Sequence, residues 1–141
     1  MPGAGPAIAN GGFLMKPYLN ADATPEVVRR VTSQATAAEV TQMMESAVNL
    51  AGVATVAGYN VAGKTGTAQI ADLTNGGYLD NEYIHTYVGY APATNPKFVI
   101  LIKIDKPNQE LAAQTVVPAF QQLAQYVLNY YNVPPDKIVT P

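Results

Sequence analysis

The sequence predicts an α+β fold in which an antiparallel sheet carries helices on its faces. Three segments with extended patterns follow one another with short connections, at Tyr59–Ala71, Tyr83–Ala91 and Phe98–Asp105, and the second is rich in β-branched and aromatic residues. Strands this close in sequence usually pair as antiparallel neighbours. Helical apolar patterns flank them, one after Thr36 and one after Thr115. The length of 141 residues suits a single domain.

Short elements are expected before the first long helix. Residues 1–6 contain two Pro and two Gly, so we expect a cap or a cloning remnant that cannot continue a helix. Residues 7–12 should end a helix at their glycines. Phe13–Leu19 should be extended, and Val27–Ser33 should form a strand.

The first long helix is expected to begin at a capping box, with Thr36 as N-cap and Glu39 three residues later, and to end at Gly52. Its apolar face would then hold five side chains, including a methionine pair assigned to core packing: Val40, Met43, Met44, Ala47 and Val48.

The last helix is expected to begin at Thr115 with Pro118 in its first turn, and Pro134-Pro135 should end the ordered part. Five residues would form the apolar stripe of this helix: Val116, Phe120, Leu123, Val127 and Tyr130. The unbroken apolar run of Phe98–Asp105 predicts a central strand that is covered on both faces.

Composition excludes several classes of function. A net charge of −2 disfavours a free-standing nucleic-acid binder, which needs a basic surface. The absence of cysteine excludes disulfides, thiolate metal sites and cysteine nucleophiles. The one histidine, His85, disfavours a histidine metal site and a Ser-His-Asp triad, so no metal and no cofactor are expected. No run approaches the ~18 apolar residues of a membrane span.

One stretch, Gly58 to Gln69, satisfies two motifs at once. The first is the phosphate-binding loop pattern Gly58-x4-Gly63-Lys64-Thr65. That chemistry needs a helix after the loop, so that backbone N–H groups and the helix dipole face phosphate. The glycine that follows and the turn at residues 75–77 leave no room for such a helix, which disfavours nucleotide binding.

The second motif is Lys64-Thr65-Gly66, a signature of penicillin-binding proteins and serine β-lactamases. From about Ala7 to about Asp136, the chain resembles the C-terminal part of the transpeptidase domain of a class B penicillin-binding protein. Four segments carry the resemblance in the family's order and spacing: Ala7–Gly12 with Pro17 after it, Val61–Gln69, Tyr87–Pro92 and Phe98–Pro107. On this basis residues 7–136 would be the domain portion and residues 137–141 a tail.

The resemblance implies a peptidoglycan D,D-transpeptidase, with stem peptides and β-lactams as ligands and a membrane-anchored parent acting outside the cytoplasmic membrane. It implies that Lys64 donates to the Ser of a Ser-x-Asn motif. Thr65 and Thr67 would hold the substrate carboxylate, and the Thr67 N–H would be an oxyanion donor. Gly66 would let backbone approach closely.

The chain departs from the family in lacking a nucleophile. Ser33 and Ser46 are its two serines, and neither lies in Ser-x-x-Lys or Ser-x-Asn. We therefore expect a fragment that is inactive alone; the alternative is a non-catalytic or engineered association scaffold, with a nucleotide-binding domain third. The edge of strand 98–105 should either self-associate or be covered by Phe13–Leu19 or the C-terminal tail.

Three other features receive ordinary interpretations. His85 is expected to be a mid-strand residue without a catalytic partner. Asp72, Asp80 and Glu82 are expected to be solvated surface residues in a loose acidic loop. The nine tyrosines could suggest a carbohydrate-binding face, but half-buried packing is the preferred explanation for most of them.

Overall fold

A computed structural model describes residues 3–137 of the chain. Its elements are α1 (Ala4–Ala9), β1 (Phe13–Met15), β2 (Val27–Arg30), α2 (Gln34–Ala51), β3 (Ala62–Ala71), β4 (Tyr78–Ala91), β5 (Phe98–Asp105) and α3 (Ala112–Tyr130). Strands β1 and β2 form a separate antiparallel pair. Strands β3, β4 and β5 form an antiparallel sheet in that order. The α+β class and the pairing of the three sequential strands are confirmed.

The three-stranded sheet is packed on both faces. On one face lies α3, where the rings of Tyr87 and Phe120 are 4.6 Å apart between centroids. On the other face lie α1 and α2, where the Tyr90 hydroxyl is 2.8 Å from Thr41 Oγ1 and the ring packs near Met44. Because side chains alternate along β4, consecutive residues serve opposite layers.

The N-terminal segment is more helical than its composition indicated. Helix α1 begins at Ala4, so the expectation that residues 1–6 cannot continue a helix is wrong from residue 4 on. Pro6 is tolerated because it lies in the first turn, where its missing N–H has no helical partner in any case. The helix ends before Gly11 and Gly12, whose φ angles are +81° and +103°, as predicted.

Helix α2 begins three residues earlier than the capping box suggested. Ser33 is the N-cap, and its Oγ accepts a 3.0 Å hydrogen bond from the Thr36 N–H, so Thr36 lies inside the helix. The predicted end is confirmed, since Gly52 adopts the left-handed conformation at φ +63°. The buried residues are Ala37 and Val48, whereas Met43 is 67% exposed, so only its neighbour Met44 packs inward.

Helix α3 also differs from its predicted start and stripe. It begins at Ala112 with no side-chain cap, and Pro118 lies beyond the first turn. The preceding turn therefore loses one backbone hydrogen bond, at the carbonyl of the exposed Gln114. Leu123 and Tyr130 are 41% and 66% exposed, contrary to prediction. The buried stripe consists of Ala112, Val116, Val117, Phe120, Ala124 and Leu128.

Strand β5 lies at the edge of the described sheet, not at its centre. Its even-numbered side chains pack on the core under α3, while Leu101 is 53% exposed, so the expectation of two covered faces is wrong. The segment Phe13–Leu19 does not cover this edge, because β1 pairs with β2.

The chain remains ordered past Pro134-Pro135. The Tyr59 hydroxyl donates to the Val133 carbonyl at 2.5 Å, and the Asn60 N–H donates to Asp136 Oδ1 at 2.8 Å. These contacts hold residues 133–137 against the start of β3 and away from β5, so this described part of the tail does not cover the β5 edge. The remainder of the predicted tail lies outside the described residues.

Candidate functional site

In the structure, the second half of the stretch from Gly58 to Gln69, which satisfied two motifs in the sequence, forms a strand. Lys64, Thr65, Gly66 and Thr67 all lie in β3, which continues to Ala71. A phosphate-binding loop would need a helix directly after Lys64 and Thr65. The structure therefore contradicts the nucleotide-binding reading. Strand β3 is also an edge strand of the described sheet.

The direction of each backbone group on β3 follows from the sheet register. The Lys106 N–H donates to the Tyr83 carbonyl at 2.9 Å, which directs the backbone groups of odd-numbered β4 residues toward β5. Even-numbered β4 residues therefore bond to β3, where their partners include Lys64 and Gly66. The N–H and C=O groups of Thr65 and Thr67 consequently point outward, along the free edge of the sheet.

Lys64 reaches this same free edge. Its ammonium Nζ donates a 2.7 Å hydrogen bond to the Thr65 carbonyl, and the residue is exposed. An ammonium group, an outward carbonyl and the outward Thr67 N–H are thus presented side by side. We call residues 64–67 the motif edge. This edge can accept an extended peptide as an added strand and can offer N–H donors to an oxyanion or carboxylate.

The side chains of the motif edge divide between the two faces of the sheet. Thr65 is opposite Tyr87 and Thr67 is opposite His85, so both hydroxyls lie on the α3 side. Gly66 is opposite Thr86 on the other side, where a Cβ atom at residue 66 would overlap the Thr86 hydroxyl oxygen. A side chain at residue 66 would therefore require the Thr86 hydroxyl to rotate away.

A layer of buried rings supports the motif edge from the α3 side. Gly63 is opposite Gly89, and the Tyr87 ring lies over both glycines. Tyr87 is 2% exposed, its hydroxyl has no hydrogen-bond partner among the described residues, and burial strongly raises its pKa. This support was not visible in the sequence, because it depends on two glycines that are distant in the chain becoming neighbours.

His85 is fully buried at the position opposite Thr67, and its ring contacts α3. Its Nδ1 atom is 2.9 Å from Thr115 Oγ1, so the threonine expected to cap α3 instead contacts the sheet. Thr115 Oγ1 also donates to the Ala112 carbonyl at 3.4 Å. The mid-strand position of His85 is confirmed, and its contact with α3 identifies a role in packing.

The acidic loop is more structured than expected. Asp72 accepts hydrogen bonds from the N–H groups of Thr74 and Asn75 at 2.9 and 3.0 Å, and bonds from Asn75 and Thr74 lower the pKa of its carboxyl group. Glu82 forms an ion pair with Lys106, with 2.5 Å between Oε2 and Nζ. Asp80 is exposed, as predicted. Asp72 therefore braces the β3–β4 turn, and the Glu82 pair links β4 to the residue after β5. Because Asp80 and Glu82 lie in β4, the expectation of one loose acidic loop is wrong for these two residues.

The nine tyrosines fall into three groups, and the expectation of half-buried packing holds only for Tyr83. Tyr59, Tyr87 and Tyr90 are buried by packing. Five others are between 48% and 69% exposed, which packing does not explain: Tyr18, Tyr78, Tyr126, Tyr130 and Tyr131.

Neither serine is placed as a nucleophile next to the motif edge. Ser33 is committed to capping α2, where its Oγ also donates to Thr36 Oγ1 at 2.8 Å, and Ser46 is exposed on the same helix. Across residues 3–137, no three His, Asp or Glu side chains come together in a way that could hold a metal ion. Within the same range, no helix is long and apolar enough to cross a membrane.

Comparison with known proteins identifies relatives along nearly the whole chain. Residues 3–125 match the family model described as the penicillin binding protein transpeptidase domain. The chain is 33% identical over 139 residues to a probable peptidoglycan D,D-transpeptidase, PenA of Neisseria meningitidis, covering 95% of this chain and 24% of that protein. It is 35% identical over 156 residues to the penicillin-binding protein PbpB of Mycobacterium tuberculosis, covering 95% of this chain and 23% of that protein.

Solved structures agree with these relatives. The apo TP domain of penicillin-binding protein 3 from Burkholderia pseudomallei superimposes with a TM-score of 0.77 at 36% identity, covering 94% of this chain and 41% of that one. Penicillin-binding protein 3 of Mycobacterium tuberculosis complexed with ampicillin superimposes with a TM-score of 0.75 at 31% identity, covering 99% of this chain and 36% of that one. This chain thus spans about a quarter of the length of its curated relatives, and it belongs to the transpeptidase domain family of class B penicillin-binding proteins.

Proposed function

We propose that this chain supplies one side of the substrate cleft of a peptidoglycan D,D-transpeptidase. The observation that carries the proposal is the motif edge, where the Lys64 ammonium and the backbone groups of Thr65 and Thr67 share an unpaired strand edge. Membership of the transpeptidase domain family supports the reaction class. The relatives and structural neighbours include a D,D-transpeptidase and an ampicillin complex, which supports stem peptides and β-lactams as ligands.

The proposed roles follow the resemblance of the motif. The extended stem peptide pairs with the outer edge of β3 as an added strand. The hydroxyls of Thr65 and Thr67 hold its terminal carboxylate, and the Lys64 ammonium adds positive charge beside that carboxylate. The outward Thr67 N–H stabilises the oxyanion of the tetrahedral intermediate. Gly66 permits the close backbone approach.

The nucleophile is proposed to come from outside these 141 residues, since no serine here has the Ser-x-x-Lys or Ser-x-Asn spacing. Attack by a serine hydroxyl requires an adjacent base, the role of the lysine one helical turn from the serine. Lys64 then donates to the serine of Ser-x-Asn across the cleft. On this proposal residues 7–136 are part of a transpeptidase domain that works outside the cytoplasmic membrane in a membrane-anchored parent.

A peptide titration followed by amide NMR tests this function. With diacetyl-Lys-D-Ala-D-Ala, we expect the amide signals of Thr65 and Thr67 to shift, and we expect the variant Thr67→Val to reduce the shifts. Two controls are the same peptide ending in L-Ala-L-Ala, which should leave these signals unchanged, and Thr74→Val in the β3–β4 turn, which should bind normally. Shifts confined to other elements, or identical shifts in Thr67→Val, contradict the proposal.

A second proposal concerns the outer edge of β5, through which we propose that the chain pairs with a second copy of itself. The register directs the backbone groups of Val99, Leu101, Lys103 and Asp105 outward. The Leu101 side chain is 53% exposed. Charged residues protect this edge only at its C-terminal end, where Lys103 Nζ lies 2.9 Å from Asp105 Oδ1.

Light scattering at low micromolar concentration tests this pairing. We expect association in the wild-type chain and a monomer in Leu101→Lys, because a charge facing its own copy disfavours pairing. Leu73→Lys, at a 96% exposed position in the β3–β4 turn, is the matched control and should associate normally. A monomer whose amides at 99, 101 and 103 exchange freely overturns the proposal.

A further inference from the structure

Three tyrosines at the end of α3 form a cluster that packing does not explain. Tyr126, Tyr130 and Tyr131 are 63%, 66% and 69% exposed. The rings of Tyr126 and Tyr130 stack with centroids 6.0 Å apart, and Tyr131 meets Tyr130 edge-on at 5.0 Å. We call these three residues the tyrosine patch. Adjacent exposed aromatic faces of this kind indicate a binding surface more often than scattered single residues do.

A cleft of about 590 Å³ adjoins the tyrosine patch and shares Tyr126 with it. Side-chain amides line much of this cleft, and two of them are held in place: Gln121 Nε2 donates to the Thr55 carbonyl at 2.9 Å, and Gln125 Nε2 donates to Asn129 Oδ1 at 3.0 Å. None of the described lining residues is charged. The cleft therefore combines fixed neutral donors and acceptors with an aromatic face.

This chemistry suits a neutral, hydroxyl-rich chain of sugar rings. Aromatic faces take the apolar face of a flat ring, and amides exchange paired hydrogen bonds with hydroxyl and acetamido groups. A nucleic acid would need basic residues, which the lining lacks. A proline-rich peptide also docks on aromatic grooves, but it needs few hydrogen-bond partners and leaves a row of amides unused.

We propose that the tyrosine patch and the adjoining cleft bind the glycan backbone of peptidoglycan, a neutral N-acetylated sugar chain. The identity of the glycan rests on the proposed function, because the polymer whose peptides the motif edge would hold carries this backbone. The tyrosine patch and most of the cleft lining belong to α3 or follow it closely, and α3 packs on the face of the sheet that carries the Thr65 and Thr67 side chains. The glycan site would hold the polymer while the peptide pairs with the motif edge.

Tyrosine fluorescence offers a direct test, because the chain contains no tryptophan to mask it. The probe is chitotetraose, which carries N-acetylated sugars and no peptide. We expect saturable quenching in the wild-type chain. We expect roughly tenfold weaker binding in Tyr126→Ala and in Tyr130→Ala, the loss that an aromatic contact of about 1.4 kcal/mol predicts. Tyr78→Ala, which removes a 65% exposed tyrosine elsewhere, is the matched control and should bind normally.

The outcomes separate the two proposals. Absence of quenching at millimolar chitotetraose, or equal binding by all variants with unchanged circular dichroism, overturns the glycan site. Binding of a proline-rich peptide in place of the sugar also overturns it. If chitotetraose binds while the D-Ala-D-Ala peptide leaves the Thr65 and Thr67 amides unshifted, the patch binds sugar and the proposed peptide function fails instead.

Discussion

Replacing Gly63 by alanine tests whether the buried Tyr87 ring holds the motif edge in place. A Cβ atom at residue 63 would lie 2.5 Å from Cζ and 2.9 Å from Cε1 of Tyr87, and closer still to the hydroxyl. The ring has little freedom to move, because it lies against Gly89 on one side and Phe120 packs against it. The contact with Gly89 is so close that a Cβ atom built there would be 2.8 Å from Tyr87 Cε1. The new methyl group must therefore displace either the strand or the ring.

The expected cost follows from these two ways of making room. Overpacking a well-packed core costs about 1–3 kcal/mol. Expelling the ring instead forfeits roughly 150–200 Å² of buried surface, or about 4–5 kcal/mol at ~25 cal/mol per Å². We therefore expect Gly63→Ala to lower the free energy of unfolding by about 3 kcal/mol, and the urea midpoint by about 2 M at a slope near 1.5 kcal/mol/M.

Gly66→Ala provides the matched control in the same strand. Its Cβ would overlap only the Thr86 hydroxyl oxygen, and the next atom, Thr86 Cβ, is 3.8 Å away. That hydroxyl can rotate to another staggered position at a cost of about 1 kcal/mol. Equal losses for the two variants would contradict the account, as would a loss below about 1 kcal/mol for Gly63→Ala. In a Tyr87→Leu background the Gly63→Ala penalty should shrink.

Two further predictions concern protonation and capping. Burial raises the pKa of Tyr87 and Tyr90 above the ordinary value, although the hydrogen bond between Tyr90 and Thr41 acts in the opposite direction on the second. The folded state therefore keeps these protons to higher pH than the unfolded state does. The free energy of unfolding should be undiminished below about pH 10 and should fall as the pH rises further. Tyr87→Phe should weaken this dependence and leave stability unchanged or raised by about 1 kcal/mol at neutral pH, because the hydroxyl has no described partner; a loss of stability would contradict this. Ser33→Ala should cost about 1 kcal/mol through loss of the α2 cap, whereas Ser46→Ala should change little in thermal denaturation.

The sheet was predictable because its signals are local. β-branched and aromatic residues mark β4 and β5, and the glycines of the turn at residues 75–77, both at φ +79°, join β3 to β4. The edge position of β5 was not predictable, because an unbroken apolar run shows burial without showing which neighbours the strand has. Burial in β5 depends on contacts with α3, far away in sequence.

Helix starts were less predictable, for a different physical reason. Ser33 and Thr36 can each cap a helix, and only the extended backbone of Ser33, at φ −71° and ψ 156°, shows which one does. In α3, Thr115 has the side chain of a cap but uses its hydroxyl on His85. The motif edge was visible in sequence as residue types. The outward direction of the Thr67 N–H required the sheet register.

Intact-mass measurement after incubation with a penicillin tests the central claim most directly. The claim is that these residues provide the motif edge and that the nucleophilic serine comes from elsewhere. Two samples are compared: the chain alone, and a chimaera in which it replaces the matching segment of the Burkholderia pseudomallei TP domain, its 36% identical structural neighbour. We predict no covalent adduct on the chain alone, one adduct per chimaera on the neighbour's serine, and slower acylation of the chimaera with Lys64→Ala or Thr67→Val. A stoichiometric adduct on Ser33 or Ser46, or acylation of the chimaera that is indifferent to Lys64 and Thr67, would contradict the account.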